Sequence, residues 1–189
     1  MSEKMRKCVY QLDGVDQKKS ISAQKATEHF ESKLSKYRHK TMQPCQKPTI
    51  IIDNGSYEAR AGWSFESIPF LRFRNLVAKP KTSVNKAIDA MHLVGDEINE
   101  FEISKVAKRS MFDKNVVFHI QSLEHMLDYT FSHLGLATDS SIDYPLLFTE
   151  PMCNPNYSRG LVSELMFECY HVPALSYAVD SMLAWHYNR

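Results

Sequence analysis

Residues 48–64 have the sequence PTIIIDNGSYEARAGWS, and this stretch decides how the fold begins. Three consecutive isoleucines lead into Asn54-Gly55, and a second strand-like run extends from Tyr57 to Trp63. Asn-Gly between two such runs is a strong hairpin signal, because both residues of a tight turn must tolerate a positive φ. The stretch therefore predicts a β-hairpin that turns at Asn54 and Gly55.

The same turn also has the residue types of a phosphate-binding loop. Backbone amides that follow Gly55 would converge on a phosphate, the Ser56 hydroxyl would donate to it, and Arg60 would supply a cation. Asp53, at the end of the first strand, would hold a hydrated Mg²⁺. The residues alone leave both interpretations open, a plain hairpin or a phosphate site.

The rest of the chain alternates between strand and helix patterns. Short apolar runs predict strands at 49–53, 57–64, 144–149 and 174–179, an extended segment at 70–78, and a short strand with a turn at 93–98. Apolar spacing predicts helices at 22–38, 120–134, 155–170 and 180–188, with a weakly helical segment at 99–115 and an exposed loop at 79–92. Strand, helix, strand and helix after Tyr144 indicate a βαβ unit, so we expect an α/β fold with a mixed sheet covered by helices.

Charge divides the chain into two predicted regions. Residues 1–47 carry eleven Lys and Arg against five Asp and Glu, whereas residues 48–189 carry twelve against seventeen. We therefore expect a basic, extended or partly helical arm over 1–47, followed by a mildly acidic globular lobe over 48–189. A basic arm is typical of a solvated tail, and also of segments that bind nucleic acid or acidic partners.

Several functional classes are disfavoured by the sequence. The four cysteines lie far apart, which is typical of a reducing compartment, and no apolar run has the roughly 20 residues that a membrane helix needs. The pair Cys169 and His171 lacks the second pair that a structural metal site requires. Neither Gly-x-Ser-x-Gly nor a Walker-type loop is present, so we expect no nucleophilic hydrolase.

Five ordered segments resemble the first half of an actin-family protein: IIDNGSYEARAGW, FRNLVAKPK, LVGDE, PLLFTEPMCNPNYSR and LMFECYHVPALSYAVDSMLAWH. The resemblance implies an actin-like, ribonuclease H-like ATPase fold of which this chain carries the first lobe only. It also implies that a β-hairpin turn is the phosphate cradle, so both interpretations of residues 48–64 hold at once. The implied phosphate-binding residues for ATP with Mg²⁺ are Asp53, Gly55, Ser56, Tyr57, Glu58 and Arg60.

Three residues depart from the actin pattern. Actins have glycine where this chain has Tyr57, lysine where it has Arg60, and a water-positioning glutamine where it has Asp180. A Cβ and a ring restrict the approach of a phosphate, and an anionic Asp180 would repel the nucleotide. Half of a nucleotide clamp also leaves most of the ligand solvated, so we expect ATP binding to be weak or absent.

Within the family the segments resemble a nuclear actin-related protein of the INO-eighty type of chromatin-remodelling complex. The resemblance implies a non-catalytic structural subunit, in the nucleus, that acts in nucleosome remodelling, transcription regulation and DNA repair. Its partners would be other subunits, with nucleosomal DNA contacted indirectly and no membrane. The alternatives are an actin-superfamily nucleotide-binding ATPase and a truncated fragment without function. Because the resemblance implies a second lobe that would cover the last helix, we expect exposed apolar surface along that helix, at Met182, Leu183 and Trp185.

Overall fold

The computed structural model describes residues 47–80, 92–100, 106–138 and 141–189. The predicted arm over 1–46, its helix at 22–38 and most of the predicted loop at 79–92 lie outside these ranges. The strands are β1 (Ile50–Asn54), β2 (Glu58–Trp63), β3 (Leu71–Arg74), β4 (Val77–Pro80), β5 (Leu93–Val94), β6 (Val106–Arg109), β7 (Phe112–Asp113), β8 (Val116–Val117), β9 (Leu146–Glu150) and β10 (Leu175–Val179). The helices are α1 (Ile120–His133), α2 (Asn156–Glu164) and α3 (Asp180–Tyr187), with a 3₁₀-helix at Gly95–Glu100 and a π-helical turn at Leu165–Cys169.

A five-stranded mixed sheet with the order β10-β9-β1-β2-β3 forms the centre of the fold. β1, β9 and β10 run parallel, whereas β2 pairs antiparallel with both β1 and β3. The parallel pair β9 and β10 is joined through α2, which is the βαβ unit that the sequence predicts. The α/β prediction with a mixed sheet is confirmed.

Helix α1 provides much of the core, because its apolar residues recur every three or four positions on one face. Leu123, Met126, Leu127 and Phe131 are fully buried. Two backbone hydrogen bonds end the helix: the Gly135 amide donates to the Ser132 carbonyl, and the Leu136 amide donates to the Phe131 carbonyl. This pattern is a Schellman motif, and Gly135 has the positive φ of 80° that it requires. Gly135 therefore ends α1 at the C′ position.

Helix α2 packs on the same core as α1, whereas α3 differs from both. Val162, Leu165 and Met166 from α2 and its π-helical continuation are buried with the residues of α1. α3 follows β10 without a linker, and none of its residues from Asp180 to Tyr187 is buried. Met182, Leu183 and Trp185 are 51%, 43% and 53% exposed, so the exposed apolar face expected on this helix is present.

Two sequence predictions are wrong. The segment 99–115 is predicted to be weakly helical, but after the 3₁₀-helix ends at Glu100 its described residues form strands: β6 pairs with β4, and β7 pairs with β8. The hairpin turn is also not a tight Asn-Gly turn, because Asn54 pairs with Ala59 and a four-residue connection separates them. Neither Asn54 nor Gly55 is among the positive-φ residues of the described ranges.

The described helices include none that is long and apolar enough to cross a membrane.

Candidate functional site

The C-terminal ends of β1, β9 and β10 lie at one edge of the sheet, because these strands are parallel. Asp53, Thr149 and Asp180 stand at or just beyond these three ends. In open α/β sheets this edge is where ligands bind. The candidate site is therefore the edge at which β1 enters its hairpin.

The carboxylate of Asp53 is held in place by the neighbouring strand. Thr149 on β9 donates its hydroxyl to Asp53 Oδ1 at 2.9 Å. The same hydroxyl accepts the backbone amide of Asn54 at 2.9 Å. One threonine thus orients the acidic side chain and satisfies the amide of the residue that follows it.

A row of side chains with alternating charge covers this face of the hairpin. Arg60 donates to Asp53 Oδ2 at 3.3 Å and, through Nε, to Glu58 Oε1 at 2.8 Å. Glu58 also accepts from Arg72 on β3, at 3.0 Å and 3.2 Å. Hydrogen bonds from Arg60 are the largest influence on the pKa of Glu58. They hold that pKa below its usual value against the opposing effect of burial, and the bonds from Arg72 lower it further. Two carboxylates and two guanidiniums therefore neutralise each other.

Asn75, fully buried, fixes the conformation of the loop. Its side-chain amide donates to Asn54 Oδ1 and to the Gly55 carbonyl, both at 2.9 Å, and its backbone amide donates to the Tyr57 carbonyl at 3.1 Å. Gly55 is needed for a different reason from the one predicted. A Cβ there would lie 2.7 Å from the Glu58 carbonyl oxygen, so close approach rather than φ excludes a side chain.

The outer part of the loop is open to solvent. Ser56 and Tyr57 are exposed, with 67% of Tyr57 accessible. The guanidinium of Arg74 lies 3.7 Å from the centre of the Tyr57 ring, a cation–π contact that keeps the ring beside β3. Where the actin family has a glycine, this chain therefore presents an aromatic ring with a cation stacked on it.

A second ion pair lies at the end of β9. Glu150, buried, accepts from both Arg159 of α2 and Asn154. Burial alone would raise the pKa of Glu150, but the bonds from Arg159 and Asn154 outweigh it and lower that pKa. This pair fixes α2 to the strand end, so its role is to position the backbone.

The structure brings some of the predicted site residues together and not others. Asp53, Glu58 and Arg60 are joined by direct ion pairs. Asp180 begins α3 two strands away from β1, a separation of roughly 10 Å, and its carboxylate accepts the Ser181 amide at 2.6 Å. Within the described ranges no hydrogen bond joins Asp180 to the hairpin.

Three residues that shape the site are not predicted from the sequence: Thr149, Asn75 and Arg72. Thr149 and Asn75 lie inside segments that carry the family resemblance, and Arg72 alternates with Arg74 along a strand pattern. A polar residue within an apolar strand pattern was the available signal. The partners of Thr149 lie 95 and 96 positions away in the sequence, and residue spacing does not predict contacts over such a distance.

The described residues contain no cluster of three or more His, Cys, Asp or Glu side chains that could hold a metal ion. The groups present at this edge are the exposed residues Ser56 and Tyr57 and the four paired charges of Asp53, Glu58, Arg60 and Arg72.

Comparison with known proteins assigns the fold family. The family model described as Actin matches residues 45–189. Actin-related protein 5 of Gallus gallus is 41% identical over 149 residues, which cover 76% of this chain and 24% of that protein. Actin-related protein 5 of Homo sapiens is 37% identical over 145 residues, 74% of this chain and 24% of the relative. Actin-like protein arp5 of Schizosaccharomyces pombe is 37% identical over 139 residues, 74% of this chain and 19% of the relative. The matched region is thus about a quarter or less of each relative.

Proposed function

The chain belongs to the actin family, and we propose that it acts as a non-catalytic actin-related subunit of a nuclear chromatin-remodelling complex of the INO-eighty type. Its similarity to proteins named actin-related protein 5 in a bird and a human supports this assignment. Within the proposal, residues 48–189 form the actin-like lobe and residues 1–47 a basic arm. Its partners are other subunits, and nucleosomal DNA is contacted through them during remodelling, transcription regulation and DNA repair.

The single observation that carries the non-catalytic role is the neutralised charge set at the hairpin. Arg60, the cation that would face a phosphate, is bonded to Asp53 and Glu58. Asp180, in the place of a neutral glutamine, adds an anion at the same sheet edge. A catalytic phosphoryl site needs donors that are free to meet developing negative charge. Here those donors are bonded to carboxylates of the same chain.

Asp53, Gly55, Ser56, Tyr57, Glu58 and Arg60 form, in this proposal, the part of a nucleotide site that the lobe carries. Actin-family proteins bind ATP with Mg²⁺, so an ATPase remains the second candidate function. It is favoured by the position of Asp53, which Thr149 holds at the ligand-binding edge of the sheet. The two candidates differ in a measurable way, because an ATPase must bind MgATP through Asp53.

Reconstitution tests the structural role. The chain is combined with the purified remaining subunits of an INO-eighty-type complex, and assembly is followed by size-exclusion chromatography. We expect co-elution that the double substitution Met182→Ser and Trp185→Ser weakens at least about tenfold, because exposed apolar patches of this kind mark protein contacts. Tyr157→Ser, on an exposed aromatic of α2, is the matched control. Failure to co-elute, with MgATP turnover by the chain alone, would favour the enzyme.

A further inference from the structure

We infer that Arg60 is a built-in counter-ion for Asp53, placed where it excludes a divalent metal ion from the end of β1. The juxtaposition that carries this inference is the direct cross-strand pairing of Asp53 with Arg60 in the hairpin. The inference concerns the ion chemistry of the hairpin and does not depend on the complex in which the chain is proposed to act.

Both oxygens of the Asp53 carboxylate already have a partner. Oδ1 accepts the Thr149 hydroxyl at 2.9 Å, and Oδ2 pairs with Arg60 at 3.3 Å. Because Asp53 and Arg60 are opposite each other in the register, their side chains emerge on the same face of the sheet. The contact is therefore built into the backbone geometry of the hairpin.

Glu58 holds Arg60 at this position from the other side. It lies two residues before Arg60 on β2, so both side chains point to the same face. Arg60 Nε donates to Glu58 at 2.8 Å while Nη1 donates to Asp53 at 3.3 Å. A guanidinium is a planar fork that can bond two carboxylates at once, whereas a lysine ammonium is a point charge. The side chain at 60 thus bridges the two acids through two separate nitrogens of its planar fork.

The residues as placed do not fit Mg²⁺. This ion requires near-octahedral oxygen ligands and is usually held by one or two carboxylates with phosphates and water. Asp53 is bonded to Arg60, and Glu58 is bonded to Arg60 and Arg72. An incoming dication would meet a guanidinium within a few ångströms, and arginine stays charged at any working pH. Removing the Arg60 cation should therefore leave the carboxylate of Asp53 available to a divalent metal ion.

Metal titration of the 189-residue chain without nucleotide tests this inference. Mn²⁺ is the probe, and paramagnetic broadening of the Asn54 and Ser56 amide resonances reports occupancy beside Asp53. The amide of Glu168, an exposed carboxylate on the π-helical turn, reports non-specific binding. The variants are Arg60→Gln and the matched control Arg72→Gln, which removes the same charge from the next strand and leaves the Asp53–Arg60 pair intact.

We expect broadening at Asn54 in the wild type only where Glu168 also broadens. Arg60→Gln should broaden Asn54 and Ser56 at about tenfold lower Mn²⁺, a difference of about 1.4 kcal/mol, and Arg72→Gln should not. Adding Asp53→Asn to Arg60→Gln should abolish the gain. Arg60→Lys, measured alongside so that the result does not depend on one variant folding, should give a smaller gain.

Two outcomes would overturn the inference. One is selective broadening of Asn54 in the wild type at the Mn²⁺ concentration that suffices for Arg60→Gln. The other is the absence of any gain in both Arg60 variants after cooperative melting has shown that at least one is folded.

Discussion

The hairpin edge and helix α3 both follow the C-terminal ends of parallel strands in the same sheet, but the hairpin pairs its polar groups with one another, whereas α3 leaves apolar side chains exposed. At the hairpin, Asp53, Glu58, Arg60 and Arg72 bond to one another, and Asn75 bonds to the loop backbone. On α3, Met182, Leu183 and Trp185 remain open to solvent. Polar side chains on neighbouring strands can satisfy one another through hydrogen bonds and ion pairs. An apolar helix face is removed from water only when another surface packs against it.

This contrast is consistent with the proposed structural role of the chain. A hairpin whose charges are already paired has few groups to offer a ligand. An exposed apolar face on a soluble protein usually marks a contact with a partner or with further chain. The difference supports a lobe that works through contacts at α3 more than through chemistry at the hairpin.

The largest expected effect is a difference in the free energy of unfolding between a substitution in the core helix α1 and the same substitution in α3. Leu127→Ala in α1 should lower the free energy of unfolding by about 2–5 kcal/mol, because Leu127 is fully buried and its loss leaves a cavity. Leu183→Ala makes the same chemical change on α3, where the side chain is 43% exposed, and should cost less than about 1 kcal/mol. Urea unfolding followed by circular dichroism measures both. Equal losses would mean that α3 is packed as tightly as α1.

A second substitution tests whether the hydrogen bonds of Asn75 stabilise the hairpin loop. Asn75→Ala should lower the free energy of unfolding by about 1–3 kcal/mol, because it leaves the buried Asn54 side-chain oxygen and the Gly55 carbonyl without their donor. It should also speed hydrogen exchange of the Asn54 amide. Asn188→Ala is the control, since its bond to the Ala184 carbonyl is exposed on α3. A neutral Asn75→Ala variant would show that the loop does not depend on this clamp.

Local patterns predicted the elements of this fold well where one residue type has one strong preference. Gly135 ends α1 because the C′ position of the helix needs a positive φ. Pro155 stands immediately before α2 because its fixed φ suits a helix start. The three isoleucines form β1 because β-branched side chains suit a strand. Each of these preferences acts within a few residues.

The elements and contacts that sequence analysis missed depend on distant partners. The segment 106–113 forms strands only because β4 and β8 supply their edges. The Thr149 contact to Asp53 exists because β9 lies beside β1. Arg60 was predicted as a phosphate ligand, and its bonds to Asp53 and Glu58 became visible only with the register of the hairpin. The predicted phosphate-binding role of these residues stays a prediction.

A smaller effect concerns acid sensitivity in α1, next to the hairpin sheet. Burial, with a contribution from His92 stacked at 4.0 Å, lowers the pKa of His125 to about 4. Between pH 6.5 and about 4 the unfolded chain binds a proton at this residue and the folded chain does not, so the free energy of unfolding should fall as pH falls.

Two carboxyl groups near His125 act in the opposite direction. Burial raises the pKa of Glu124 and of Asp128, and Asp128 accepts the hydroxyl of Tyr170 from the facing segment. Their contribution is fully present below their unfolded pKa values and is lost as pH rises through their higher folded pKa values. Thermal melts from pH 4 to 8 on wild type and His125→Gln isolate the histidine. Parallel curves for the two proteins would contradict its assigned pKa.

The smallest effect on stability should come from α3, although it changes the surface most. Met182→Ser with Trp185→Ser should reduce binding of a hydrophobic fluorescent dye while changing the free energy of unfolding by less than about 1 kcal/mol, because both side chains are half exposed. Tyr157→Ser, which removes an exposed aromatic from α2, should leave dye binding nearly unchanged. Wild-type chain that stays monomeric and binds no dye would remove the contrast between α3 and the hairpin.

Titration calorimetry of MgATP into the 189-residue chain, with Asp53→Ala as the control, tests the central claim most directly. The paired charges at Asp53, Glu58 and Arg60 should leave no binding, or a dissociation constant near the millimolar range, which corresponds to about 4 kcal/mol. The heats should change little with Asp53→Ala, and hydrolysis should be undetectable. Micromolar binding that Asp53→Ala abolishes would contradict the account, because the hairpin edge would then be a working nucleotide site.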